Sequence, residues 1–334
     1  MQTAPDKGRL PVSSLVCIID LHLGFESASS TLTPYQKETL IMVTITAVGD
    51  VKMVLGEGPV WNAHDERLYM IDCVGSQMAA YAPKTGQTEV WTLPEYPGSY
   101  AFMPNGDVVM AFRRKVACVR LGQGKAEIVA EINSGIDFEV ERINDGASDA
   151  QGRFWFGTMD RRLKNPIGHL YCLGLDRHVS VQGEGIVLSN GIAWNKEQTI
   201  LYHCDSGPGV IYAYDYDAVQ GTASNQRIFA RLREGHSSPD GCVLDAQGGL
   251  WVVEVGAGRL VRYNPDGTIE RRLDVPVTRP TALAFGGPDM ATLFMTSMHY
   301  DLTEAQQQAQ PDAGRLFAIT GTGVSGIPRP LYRG

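Results

Sequence analysis

The six cysteines include no CxxC pair, the seven histidines no HxxxH or HExxH spacing, and no GxSxG segment occurs. Those absences exclude zinc knuckles, dithiol redox motifs, the serine-hydrolase elbow and zincin chemistry. No apolar run approaches the roughly 18 residues of a membrane span. The stretch PVSSLVCII near the start is broken by Asp20 and His22 before a signal-peptide core is complete. A cytoplasmic protein without a membrane partner is therefore expected. Positive charge is also scarce: 29 Lys and Arg against 37 Asp and Glu leave a net charge of −8. Phosphate backbones select basic faces, so nucleic acid is not expected as a partner. Helical periodicity is nearly missing, with only Asp301–Gln310 reading as a helix.

What is present is repetition. A turn followed by an apolar or alternating strand recurs six times, as NAHDERLYMID, MPNGDVVMAF, DAQGRFWFGTM, NKEQTILYHCD, DAQGGLWVVEV and GGPDMATLFMT. The copies start roughly 40–50 residues apart, the period of propeller blades. Gly, Asn and Asp in the turns tolerate the positive φ of tight hairpins. The fold class is all-β, a six-bladed β-propeller of four-stranded blades spanning 42–334. The β-branched strand VTITAV (Val43–Val48) is expected to complete the last blade and close the ring. Residues 1–41 read as a poorly ordered extension upstream of Met42. The scattered cysteines lie in apolar runs and read as buried free thiols. GTGVSG (Gly321–Gly326) matches a dinucleotide fingerprint by letters only. It opens no helix in a βαβ unit and reads as a terminal turn.

In a propeller the first strand of each blade lines the central channel, so residues at its start gather round the axis. Aligning the repeats places Glu57, Ser99, Tyr100, Arg142, Asn144, Asn190, Asp240 and Thr281 there. Asn or Asp before Gly is an ordinary turn former taken singly. Glu57 between two glycines is harder to dismiss, because an unpaired buried carboxylate is costly. Two carboxylates and two amides from four blades make an oxygen-rich set suited to Ca²⁺, Mg²⁺, Mn²⁺ or Zn²⁺. His203, beside Cys204 in an apolar strand, reads as packing. His236 and His299 read as loop residues near the pocket, and Asp215 and Asp217 as blade-edge turn residues.

The segments LGEGPVW, RINDGASDAQGRFWFGTM, SNGIAW with LYHCDS, PDGCVLDAQGGLWV and AGRLFAITGTGVSG together resemble the SMP-30/gluconolactonase/luciferin-regenerating family. The resemblance runs in order from about residue 51 to the end. It implies one divalent metal ion, Ca²⁺ or Zn²⁺ foremost with Mg²⁺, Mn²⁺ and Fe²⁺ compatible, held by Glu57, Asn190 and Asp240. It implies further that Asn144 reaches the metal or substrate and that Arg142 contacts sugar hydroxyls. One departure stands out: where vertebrate members carry acids shortly after GTM, this chain has Asp160, Arg161 and Arg162, so the pocket rim differs in charge. The expected activity is metal-dependent hydrolysis of a sugar lactone such as glucono-, xylono- or arabinonolactone, with Asp240 as metal ligand and proton acceptor. The alternatives are organophosphate or aryl-ester hydrolysis on the same scaffold, and a non-catalytic calcium-binding propeller.

Overall fold

A computed structural model describes residues 14–19, 41–132, 135, 137, 139–232 and 237–334. They form six antiparallel sheets, five of them simple four-stranded meanders. The innermost strands are Gly56–Asn62, Pro97–Phe102, Glu141–Ser148, Ser189–Trp194, Ser238–Leu244 and Pro280–Gly286. Each packs beside the next, and the sixth returns to the first, so the ring is complete.

Closure comes from the N-terminal side, as the sequence suggests. Strand Ile41–Val48 pairs antiparallel with Leu316–Thr320 in the register Thr44 to Thr320 and Val48 to Leu316. Blade six thus joins the two ends of the propeller, which leaves no open edge at the seam. Ser14–Ile19 pairs on the outer side of Ile41–Val48 as a fifth strand. The remainder of the expected extension lies outside the described residues.

Burial explains the strand patterns. Second strands such as Arg67–Asp72 and Phe154–Asp160 are buried on nearly every residue, because both faces of a blade are covered by its neighbours. Alternate residues serve different interfaces: Tyr69 and Ile71 pack toward blade two, Leu68 and Met70 toward blade six. One apolar cluster fills each of the six blade interfaces. Outermost strands such as Gln87–Thr92 face solvent and read as mixed.

The two DAQG turns are structural. Asp149 accepts hydrogen bonds from Arg153 Nε at 2.6 Å, Tyr216 Oη at 2.7 Å and Trp155 Nε1 at 3.1 Å. Asp245 repeats the arrangement with Arg262 Nε at 2.7 Å and Trp251 Nε1 at 2.9 Å. The one helix among the described residues, Glu304–Ala309, carries a capping box at Thr303. No helix among them is long and apolar enough to cross a membrane.

Candidate functional site

All six innermost strands slip register against their second strands near the same end, between Glu57 and Val60, Pro97 and Ser99, Ile143 and Gly146, Asn190 and Ile192, Pro239 and Cys242, and Pro280 and Leu283. A bulge turns side chains out of the regular alternation and so can aim them along the axis. Crowding there explains the glycines. A Cβ on Gly241 would lie 2.6 Å from Ala282 Cα, and one on Gly191 only 2.5 Å from the carbonyl oxygen of Asp240.

Buried carboxylates brace the approach to two of these bulges. Asp72 accepts from the backbone N–H groups of Val54 at 2.8 Å and Leu55 at 3.1 Å, just before Glu57. Asp205 does the same for Val187 at 3.2 Å and Leu188 at 2.9 Å, just before Asn190. Rigid, side-chain-capped turns therefore deliver both residues to the channel mouth.

At that mouth Glu57, Asp145 and Asp240 face one another. Burial, then the Asp240 and Asp145 carboxylates, push Glu57 well above the usual carboxylate range, against the opposing pull of the Gly58 N–H and Arg142. Asp240 is raised by burial and by Asp145. Asp145 is raised by burial, with Arg329 and the N–H groups of Gly146 and Gly191 opposing. Among the described residues none of the three has an ion-pair partner. Like charges held close in a dry site disfavour joint ionisation unless a cation joins them.

A chain of hydrogen bonds orients the amides beside these acids. Arg142 Nη1 donates to Asn144 Oδ1 at 2.6 Å, Asn144 Nδ2 to Asn190 Oδ1 at 2.6 Å and Asn190 Nδ2 to Ser206 Oγ at 2.8 Å. Ser206 Oγ then donates at 2.5 Å to the carbonyl of Pro239, the residue before Asp240. Blades three, four and five are thereby locked in one polar relay. The guanidinium of Arg142 lies over the Tyr96 ring at 4.8 Å, and that of Arg113 lies 5.2 Å from the same ring.

The structure thus brings Glu57, Arg142, Asn144, Asn190 and Asp240 to one end of the channel. Ser99 and Tyr100 sit in the wall, with Ser99 Oγ and Tyr100 Oη buried and unpartnered among the described residues. Thr281 Oγ1 donates to the carbonyl of Gly56 at 2.5 Å, tying blade six to blade one. His203 is fully buried, its Nε2 2.8 Å from Ser189 Oγ. His299 contributes a backbone N–H to the Val54 carbonyl, and His236 lies outside the described residues. Asp215 pairs with Arg227 at 2.7 Å, and Asp217 caps the N–H groups of Val219 and Gln220. Cys73, Cys118, Cys172, Cys204 and Cys242 are free thiols.

Sequence reasoning set Asp145 in the RINDG stretch and Tyr96 at the head of a blade-two segment, Tyr96–Met103, beside the ligand, but gave neither a role of its own. Asp145 had a signal, since it stands between Asn144 and Gly146 inside the bulge. Tyr96 lies before its strand, where spacing gives no cue. Asp160, at the altered rim, is wholly buried and accepts from the N–H groups of Arg162 at 2.9 Å and Asn165 at 2.8 Å. It therefore shapes the rim loop.

Residues 55–299 match the family model described as SMP-30/Gluconolactonase/LRE-like region. The chain is 30% identical over 298 residues to regucalcin of Gallus gallus, covering 87% of this chain and 99% of that protein. It is 32% identical over 293 residues to 6-deoxy-6-sulfogluconolactonase of Pseudomonas putida, with the same shares covered. Among solved structures it is similar to a calcium-binding protein, regucalcin, from Agrobacterium tumefaciens, with TM-score 0.80, 27% identity, and 85% and 95% of the two chains covered.

Proposed function

The chain belongs to the SMP-30/gluconolactonase/LRE-like family, and on that premise we propose that it hydrolyses a sugar lactone to the sugar acid, using one divalent cation held by Glu57, Asn190 and Asp240. The observation that carries this reading is the meeting of unpaired, mutually unfavourable carboxylates with an oriented amide at one channel mouth.

The donors fit such an ion. Among the described residues no three His, Cys, Asp or Glu side chains form a metal-binding group; the proposed set is two carboxylates and an amide. Asn190 commits its NH₂ to Ser206 and turns Oδ1 toward Asn144. That oxygen has two lone pairs, so one remains for a cation. An all-oxygen set suits Ca²⁺ and also admits Zn²⁺, Mg²⁺, Mn²⁺ and Fe²⁺. The calcium-binding description of the Agrobacterium tumefaciens structure supports Ca²⁺ first.

When bound, the ion supplies Lewis-acid polarisation of the lactone carbonyl and offsets charge developing on its oxygen. Asp240, buried at the channel mouth, accepts a proton from the attacking water. A bond forms from the water oxygen to the carbonyl carbon. The ring C–O bond then breaks, and the departing alkoxide takes a proton back as the hydroxyl. Arg142, fixed over Tyr96, and Asn144, fixed by Arg142, hold the ring hydroxyls and place the ester. Aldonolactones such as glucono-, xylono- and arabinonolactone are the substrates to try, and the 6-deoxy-6-sulfogluconolactonase relative supports that class. Acid release in a pH-stat, before and after chelation, tests the reading. Full turnover by Glu57→Ala or Asp240→Ala would sink it. Cation binding without turnover of any lactone would favour the calcium-binding alternative.

A further inference from the structure

The mouth opposite the acids is crossed by the C-terminal segment. On one side that segment is tied to blades five and six: Ala246 N–H donates to the Ser325 carbonyl and Gly326 N–H to the Met290 carbonyl, each at 2.8 Å. On the other it is tied to blades two and three. Tyr332 N–H donates to the Phe102 carbonyl at 2.8 Å and Arg333 N–H to the Gly152 carbonyl at 3.0 Å. The Tyr332 ring is fully buried against Phe154, with centroids 6.5 Å apart. In a six-bladed ring those two anchor points lie opposite one another, so the strap runs across a diameter.

Midway along it stands Pro328-Arg329-Pro330. Two fixed proline φ angles, with the residue before each proline confined to extended backbone, make this the stiffest part of the strap. The strap divides the far mouth into a chamber of about 220 Å³ walled by blades one to three and another of about 370 Å³ walled by blades three to five. Arg329 borders both, and its Nη2 lies 3.3 Å from the carbonyl of Leu283 on blade six. All six blades therefore surround this one guanidinium, which places it at the channel axis. It shares the smaller chamber with Tyr100, whose ring would lie 3.5 Å from a Cβ on Gly58, the neighbour of Glu57.

We propose that Arg329 is a positioning residue for the cation site: a fixed positive charge, held on the axis beneath the acids, that partly offsets their field and sets how tightly a divalent cation is held above them. It touches neither the proposed ligands nor the lactone. It acts through space, by direct repulsion of the bound cation. The idea rests on the metal-site reading above, and its sign separates it from a structural role. Loosening the strap would disorder the site and weaken cation binding, whereas removing only the charge strengthens it.

Calorimetric titration of the metal-stripped full chain with Ca²⁺ and with Mn²⁺ tests this, comparing wild type with Arg329→Met, Arg329→Gln and Arg329→Lys. Arg329→Met and Arg329→Gln are expected to bind on the order of tenfold tighter, because a nearby like charge has gone. Arg329→Lys restores the charge and is expected near wild-type affinity. Arg329→Gln keeps a donor for the Leu283 carbonyl and so serves if the methionine variant folds poorly. Unchanged or weaker binding in a folded neutral variant overturns the inference while leaving the metal site intact. No cation binding by the wild type overturns both.

Discussion

Asn144 is the residue on which the polar relay turns, since it accepts from Arg142 and donates to Asn190. Asn144→Ala removes both bonds and a third to the Ser189 carbonyl, and leaves the Asn190 amide held by Ser206 alone. Lactone kcat/KM is expected to fall about 10- to 100-fold, in line with loss of a group that orients a metal ligand, with Tm nearly unchanged. A loss under twofold in steady-state assays would remove Asn144 from the site. His203 offers a test of a different kind. Burial holds its pKa down to about 4, so it stays neutral in the fold and charges readily in the unfolded chain. Its contribution is full above about pH 6.5 and is lost as pH falls toward 4, by about 3 kcal/mol. His203→Gln is expected to flatten that part of the stability-against-pH curve measured by urea unfolding; an unchanged slope would contradict it. Glu57, Asn190 and Asp240 were legible in the sequence because each stands directly before a glycine at the start of a strand in a repeated unit. Asp145 has the same neighbourhood, but Asn144 precedes it in the same bulge, and only the folded chain brings it within electrostatic reach of Glu57 and Asp240.

At the scale of elements, the repeat spacing and the turn residues disclosed the blades, and the β-branched run Val43–Val48 disclosed how the ring closes. The bulges were not legible. A register slip leaves no compositional mark beyond a glycine, and its cause is the crowding of six backbones round one axis. The strap across the far mouth was also missed, because IPRPLYRG has no periodicity and owes its place to anchors at Tyr332 and Arg333. Deleting residues 1–48 removes the strand that pairs with Leu316–Thr320 and is expected to abolish cooperative thermal unfolding. Deleting 1–40 removes only the outermost strand and is expected to leave lactone turnover within twofold. Cooperative melting of the shorter product would show that closure lies elsewhere. Asp245→Ala strands the buried Arg262 guanidinium and the Trp251 N–H, at a cost of about 3–5 kcal/mol in chemical denaturation. Asp245 lies away from the acids, so kcat/KM of the folded protein should hold; a selective loss of turnover would contradict its structural role.

For the whole molecule, three of the 37 acids meet at one channel mouth, where Asp145 raises the proton affinity of Glu57 and Asp240, and Asp240 that of Glu57. A cation that binds only the folded state stabilises it by mass action, by about 2.7 kcal/mol at a hundred times its Kd. Chelation is therefore expected to lower Tm, and Glu57→Gln with Asp240→Asn is expected to make Tm insensitive to chelator; a Tm that ignores chelation in the wild type would contradict this. The most direct measurement couples binding to turnover in one sample. Metal-stripped protein is titrated with Ca²⁺ and then Zn²⁺ in a calorimeter, while a pH-stat follows acid released from gluconolactone at each increment. One site per chain is expected, with turnover rising in step with occupancy, and neither heat nor turnover from Glu57→Gln with Asp240→Asn. Undiminished turnover by the stripped wild type, or undiminished cation binding by the double variant, would contradict it.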